Sequence, residues 1–442
     1  MITKQQTGHC NYVKLTSRML MEFSARRKKL FAKMRPHSVA IVFAAPQYFR
    51  NGDVTFPYRQ NSDFYYLTGF TEPNAVAVFV KSTSAEQYVL FSQPKNLIKE
   101  QCYGFRVGQE KAVEVYGVDQ AYSVDEIHKH MPQLLQDVQA VYYQFHHPLQ
   151  YNKLIDEWLG KRNCGPWKIN LADIVHEMRL IKSPAEIGLL KQAAEITAHA
   201  HLKIMQQCKP KMYEYELVGK LFHEYYVHGA QAAAFPPIVA SGYNSCVLHY
   251  EENNRQIHDG DLVLVDAGCE YQYYAADVAR TFPANGKFTR EQALIYEIVL
   301  LAQQKVIEQI RPGSNWYDGQ KIAVRTITEG LRDLGILRGN VDKLIKQRAY
   351  KPFYMHKVSH WLGLDSHDVG AFKIHDQETR LQPGMVLTVE PGIYILPNMK
   401  NVDEKWWGIG VRIEDDLLVT ENGHEVLTNA APKTLAEIED IL

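Results

Sequence analysis

The apolar residues of this chain follow two rhythms that predict different elements. VAIVFAA from residue 39 and AVAVFV from residue 75 are continuous runs of strand length, and they predict strands in the first third of the chain. Leu20, Phe23, Leu30, Phe31 and Met34 instead recur at helical spacing and form one face of a first helix. At Ser183-Pro184-Ala185-Glu186 the signals of a helix start coincide. Ser183 can cap, Pro184 suits the first helical position and Glu186 completes a capping box, which predicts a helix to about Cys208. That start marks a domain boundary, with a linker expected near residues 175 to 184.

Two later stretches echo one another. CKPKMYEYELVGKLFHEYYVHG at 208 to 229 and IRPGSNWYDGQKIAVRTITEGL at 310 to 331 each pass from a basic, proline-containing turn into an amphipathic helix. Strands carrying acids are predicted after each. Two such α/β halves facing one another would bring those acids to one centre.

Composition bounds the function classes. With 442 residues, 46% hydrophobic and 22% charged, the chain has the makeup of a two-domain globular protein. No stretch approaches 18 consecutive apolar residues, so no membrane span is expected. A net charge of -1 argues against a general nucleic-acid binder, although residues 1 to 35 carry a local excess of +8. That basic start lacks the apolar core of a secretory signal and reads as the solvated side of the first helix, residues 1 to 20 being a short extension. The six cysteines show no paired spacing, and reduced thiols in a cytoplasmic protein are expected.

The chemistry lies in acids placed where acids are rare. Asp266, Asp277, Glu390 and Glu414 sit in LVLVDAG, AADVARTF, LTVEPGIYI and VRIEDDLLV, and His360 sits in HKVSHWLGLD. Val263, Val265, Val386, Val389, Ile413 and Val419 give these segments strand character, and Pro391 keeps Glu390 out of helical geometry. Burying an ionised carboxylate without a partner costs several kcal/mol, so four of them call for positive charge at the same place. A pair of divalent metals meets that need. Carboxylates with one imidazole are hard donors, which favours manganese, cobalt or iron over a zinc site of Cys and His. Two ions sharing bridging carboxylates would acidify a water held between them, which is hydrolytic machinery. Most of the 18 histidines are expected to be ordinary; His199 and His201, two apart in a helical stretch, read as solvated.

The order Asp, Asp, His, Glu, Glu in these contexts resembles the pita-bread metallopeptidases, and within them bacterial aminopeptidase P. YRQNSDFYYLTGFTEP, VHEMRLIKSPAEI, VLHYEEN, DGDLVLVDAGCEY, SHWLGLDSHDVG and GMVLTVEPGIYI carry the resemblance, which spans about residue 21 to the end. It implies an α/β (α+β) protein: a creatinase-like α/β domain at 21 to 180, then a pita-bread catalytic domain at 181 to 442. It also implies a dinuclear manganese centre on Asp266, Asp277, His360, Glu390 and Glu414, with Asp277 and Glu414 bridging. His249, His356 and His367 would surround the scissile bond and bind substrate, Arg412 and Tyr394 would support them, and Asp53 would stand near the substrate entrance. The implied reaction is attack by a hydroxide between two metals on the bond before a penultimate proline. Glu390 would shuttle the proton to the leaving nitrogen, and His367 would stabilise the oxyanion. Homodimers or tetramers, peptide substrates, and no nucleic-acid or membrane partner complete the implication.

Some positions depart from the family pattern. Lys357 replaces a glycine after His356, Tyr273 and Ala276 replace glycines before Asp277, and Cys102 stands where relatives carry tryptophan. If position 276 required φ > 0, alanine there would cost about 1 kcal/mol. A prolidase limited to dipeptides shares the metal set and is the main alternative. A creatinase-like hydrolase would not need this set, and a non-catalytic peptide-binding relative would be expected to have lost ligands.

Overall fold

The computed structural model describes residues 17–145, 149–160, 165–374 and 377–442, so most of the predicted N-terminal extension lies outside them. The chain forms two compact units, 1–179 and 180–442. A helix at Ala172–Leu180 occupies the expected linker, leaving Ile181, Lys182 and Ser183 before the next helix.

The first unit is built on one six-stranded sheet. Its strands are β1 (Ser38–Phe43), β2 (Val76–Lys81), β3 (Glu86–Ser92), β4 (Gln120–Ser123), β5 (Ala140–Tyr143) and β6 (Trp167–Asn170), in the order β4-β3-β2-β1-β5-β6. β1 to β3 pair antiparallel, and the outer pairs are parallel. The two continuous apolar runs are β1 and β2, side by side at the centre, where helices on both faces leave no room for alternation. α1 (Ser17–Lys33) buries Phe23, Leu30 and Phe31, while Met34 is buried just beyond its end.

In the first turn of α2 (Ser62–Thr68) an acid is locked in place. Asp63 Oδ1 accepts from Arg179 Nη1 at 2.6 Å, Oδ2 pairs with His176 Nε2 at 3.1 Å, and Gln144 also donates to Oδ2.

The second unit carries the echo as two helix pairs. α3 (Pro184–Gln207) packs on α4 (Glu214–Val227), and α5 (Arg290–Ile307) on α6 (Asp318–Asp333). α3 starts at the predicted capping box, in which Ser183 Oγ accepts from Glu186 N and Glu186 accepts from Ser183 N. After the first pair come β7 (Ile238–Ser241), β8 (Leu262–Asp266) and β9 (Ala279–Pro283), an antiparallel sheet. After the second come β10 (Val386–Val389), β11 (Gly392–Ile395), β12 (Ile409–Arg412), β13 (Asp415–Thr420) and β14 (Gly423–Val426). β10 pairs with β13 and β11 with β12, all antiparallel.

These strands decide where the acids go. Asp266 ends β8, Glu390 lies in the step between β10 and β11, and Glu414 in the step between β12 and β13. The halves meet at β9, where Glu414 N donates to Ala279 O at 3.0 Å and Arg412 N donates to Thr281 Oγ1 at 3.2 Å. Gly268 allows the Asp266 and Asp277 segments to close, because a Cβ there would stand 1.6 Å from Ala276 O.

Two expectations need correction. His201 is not solvated: it is fully buried on the inner side of α3 and donates through Nε2 to Ala267 O at 3.0 Å. Burial, helped by the Arg280 charge, outweighs the pull of Ala267 O, Asp277 and Asp415 and pushes its pKa down to about 4, so it is a neutral strut. Ala276 does not need φ > 0; the left-handed residues of this turn are Gln272 and Tyr273, at φ 47° and 72°. The strain of the lost glycines therefore falls at Tyr273. Among the described residues no helix is long and apolar enough to cross a membrane.

Burial opposes the charge on Asp63, yet Arg179 and His176 outweigh it and hold the carboxyl down to about 2. Asp63→Asn is expected to cost about 3–5 kcal/mol at neutral pH, since it takes the carboxylate charge away from the buried Arg179 guanidinium. A depressed pKa stabilises above the unfolded value near about 3.9, so this contribution fades as pH falls towards about 2. Urea unfolding of both proteins from pH 7 to 2.5 checks this; a gap that does not narrow in acid would contradict it.

Candidate metal centre

The five predicted ligands line one cavity of about 630 Å³ in the second unit, together with His249, His356, His367 and Arg412. His360 stands among the acids. Its Nε2 lies 3.5 Å from Asp277 Oδ2, 3.6 Å from Glu390 Oε1 and 4.0 Å from Glu414 Oε1. Its Nδ1–H donates to Trp361 O at 2.9 Å, which leaves Nε2 as the ligand atom. The backbone fixes this placement: Thr388 N donates to His360 O, Glu390 N to Val358 O, and Leu362 N to Val386 O, at 2.8–3.1 Å. The segment with the four-residue His356–His360 spacing thus runs beside β10 and is not a helix.

The electrostatics show what the site lacks. Burial, then mutual repulsion, raises the acids: Asp266 to about 6, Glu390 to about 7, and Glu414 well above the carboxylate range. Burial opposes a charge on His360, but Asp277 and Glu390 prevail and push it up to about 9. Asp266 Oδ2 accepts from Arg412 Nε at 3.0 Å and Nη2 at 2.6 Å, whereas its buried Oδ1 receives no hydrogen bond among the described residues. Ligand atoms of Asp277, His360 and Glu414 all lie within 4.8 Å of one another. Crowded carboxylates, an orphaned oxygen and an imidazole facing them form a donor set that divalent cations fit.

A relay runs from the acids to the cavity wall. Arg412 Nη1 donates to Tyr394 Oη at 2.8 Å, and Tyr394 Oη–H donates to His356 Nε2 at 2.9 Å. His356 Nδ1–H is spent on Lys357 O, and burial beside Arg412 lowers its pKa to about 3, so the ring is a neutral acceptor. His367 packs edge-on against His360 with centroids 4.3 Å apart, exposed in the cavity, its pKa shifted down by partial desolvation and by His360. His249 is exposed on the wall. Lys357 turns over the Phe372 ring at 4.9 Å and makes no ion pair with these acids.

Asp53 belongs to the first unit, exposed in the turn between short strands Phe49–Asn51 and Val54–Thr55. Cys102 is exposed on the helix Leu97–Tyr103.

Sequence reasoning missed the groups that hold the ligands. Asp416 Oδ2 accepts from Asp277 N at 3.1 Å, and Ser366 Oγ donates to Asp277 Oδ2 at 3.2 Å. Asp415 is paired with Arg280 at 2.7 Å and Lys433 at 2.6 Å, which keep its carboxyl low despite burial. A buried Lys182–Asp368 pair at 3.0 Å anchors the residue after His367. The one available signal was the run Glu414-Asp415-Asp416, three acids in an apolar strand that need three separate solutions.

Residues 188–421 match the model of metallopeptidase family M24, and residues 23–142 match the aminopeptidase P N-terminal domain. The chain belongs to metallopeptidase family M24. Xaa-Pro aminopeptidase of Escherichia coli is 47% identical over 95% of this chain and 97% of its own length. Aminopeptidase PepP of Pseudomonas aeruginosa superposes with a TM-score of 0.93 at 46% identity, covering 96% of this chain and 97% of that one. Zinc-substituted E. coli aminopeptidase P in complex with product gives 0.93 at 47%, covering 96% and 98%. An aminopeptidase P-type N-terminal α/β unit precedes a pita-bread unit of family M24, and the chain is a metallo-hydrolase.

Glu414 tests the balance between stability and function. Without metal its buried carboxyl has repulsive neighbours, so metal-free Glu414→Gln should unfold at the same temperature as metal-free wild type or higher. Metal-loaded activity should fall by about a thousandfold or more. Calorimetry with a peptidase assay checks both; a variant several degrees less stable without metal would refute the reading.

Proposed function

We propose that the chain is a Xaa-Pro aminopeptidase, releasing the first residue from peptides whose second residue is proline. Two divalent cations, manganese by preference, would be held by Asp266, Asp277, His360, Glu390 and Glu414. The observation that carries the reading is the meeting of this acidic donor set with His249, His356 and His367 in one cavity. Its volume of about 630 Å³ suits a short peptide segment. When bound, the cations acidify the attacking water and polarise the scissile carbonyl.

The protein's own groups do the rest. Glu390, at the cavity floor with one oxygen facing His360, takes the proton of the attacking water and passes it to the leaving proline nitrogen. His367 donates to the oxygen on which negative charge develops. Neutral His356, oriented by Tyr394 and Arg412, accepts a hydrogen bond without adding charge.

Proline selection follows from what the bond lacks. An Xaa-Pro bond has no N–H, so a site that demands that donor rejects it, whereas imidazoles and the Phe235, Pro236 and Phe372 walls accept the ring. The Escherichia coli relative named for this activity matches along nearly the whole chain, which favours this reading over a dipeptidase.

Asp53 is assigned to the substrate entrance on resemblance. A cytoplasmic setting is supported by free Cys102, Cys208, Cys246 and Cys269. A homodimer or tetramer is supported by the exposed apolar side chains of Leu97, Ile98 and Tyr103.

Xaa-Pro-Yaa tripeptides and longer peptides should be cleaved with higher kcat/KM than Xaa-Pro dipeptides; a strict dipeptide preference would make the enzyme a prolidase. His367→Ala should lower kcat about 10²- to 10³-fold with little change in KM. Steady-state kinetics on a tripeptide checks this, and a pure KM effect would remove His367 from transition-state stabilisation.

A further inference from the structure

Away from the catalytic cavity, the second unit carries another cluster of ligand-bearing side chains. His199 lies on α3, Glu224 on α4, and His228 is the residue that closes α4. His199 Nε2 is 3.4 Å from Glu224 Oε2, and the two imidazole centroids are 4.8 Å apart. One ligand atom from each of the three lies within 4.8 Å of the other two.

We propose that His199, Glu224 and His228 form a separate transition-metal site that takes one zinc-class divalent ion and clips α3 to α4. Two imidazoles and a carboxylate, with further positions open to water, are a ligand set that zinc accepts. The donor-to-donor edge of a tetrahedral site with bonds of about 2.0–2.1 Å is about 3.3 Å. The His199–Glu224 pair already has that spacing, at 3.4 Å. Both imidazoles are part-exposed and have room to move the remaining distance, His228 by giving up its hydrogen bond to Glu224 O, whereas the Glu224 side chain is only 13% exposed.

The ring of His228 is set for ligation. Its Nδ1 lies 2.8 Å from Glu224 O and 3.9 Å from Glu224 Oε2, so a turn of the exposed ring about its side-chain bonds exchanges the backbone hydrogen bond for a bond to the ion. A plain ion pair explains the cluster less well. An ion pair would engage one imidazole at a time, whereas a single dication would satisfy the carboxylate and both imidazoles together.

The clip would bear on a helix that matters. Two residues further along α3, His201 supports Ala267, the neighbour of the ligand Asp266. Securing α3 against α4 therefore steadies one wall of the catalytic centre from behind.

The test uses the full-length protein loaded with manganese and dialysed against buffered micromolar zinc, beside a His199→Ala/His228→Ala variant treated alike. Elemental analysis should find one more zinc per chain in the wild type, with hydrolytic activity retained in the variant. Glu224→Gln should weaken this zinc by more than about tenfold. In the wild type, zinc should also shield His199 and His228 from carbethoxylation, mapped by mass spectrometry. Equal zinc in the two proteins, or modification undiminished by zinc, would overturn the proposal whatever the catalytic centre holds.

Discussion

Four carboxylates forced together in a buried place are the constraint on which the second unit depends. Asp266, Asp277 and Glu414 are almost fully buried and Glu390 nearly so, and they face the Arg412 guanidinium and the His360 imidazole. Metal-free, the group can lower its energy only by taking up protons, which is what the raised pKa values of Asp266, Glu390 and Glu414 express. Cations relieve the same repulsion without neutralising the ligands. The fold is therefore arranged at some cost in stability to demand metal, as functional sites commonly are.

The architecture that imposes this crowding is the meeting of two halves. β9 from the first half bonds to the β12–β13 step of the second through Glu414 N and Thr281 Oγ1, and Gly268 lets the Asp266 and Asp277 segments touch. Arg412 then serves both sides: it neutralises part of Asp266 and starts the relay through Tyr394 that sets the proton on His356. One buried residue thus links the acid cluster to the state of the His356 imidazole on the cavity wall.

Much of this was legible because its signals are local. The capping box at Ser183 and Glu186, the apolar runs of β1 and β2, and the four acids and His360 that meet in one cavity can each be read from a few neighbouring residues. What escaped depends on long-range contact. His201 looked solvated because a helix pattern alone does not say which side packs inward, and Ala267 O lies 66 positions away. Strain was expected at position 276, whereas the backbone turns left-handed at Tyr273, a choice made by the turn as a whole. Asp416 and Ser366 hold Asp277 from 139 and 89 positions away, and no spacing rule connects them. The His199–Glu224–His228 group was hidden for the same reason, since it forms only when α3 packs on α4.

The central claim is that these acids exist to hold two cations. Anomalous diffraction at the manganese edge from crystals of the manganese-loaded protein tests it most directly. Two peaks about 3.5–4 Å apart are expected, both enclosed by Asp266, Asp277, His360, Glu390 and Glu414, with Asp277 and Glu414 between them. A single peak, or none among these five residues, would contradict it.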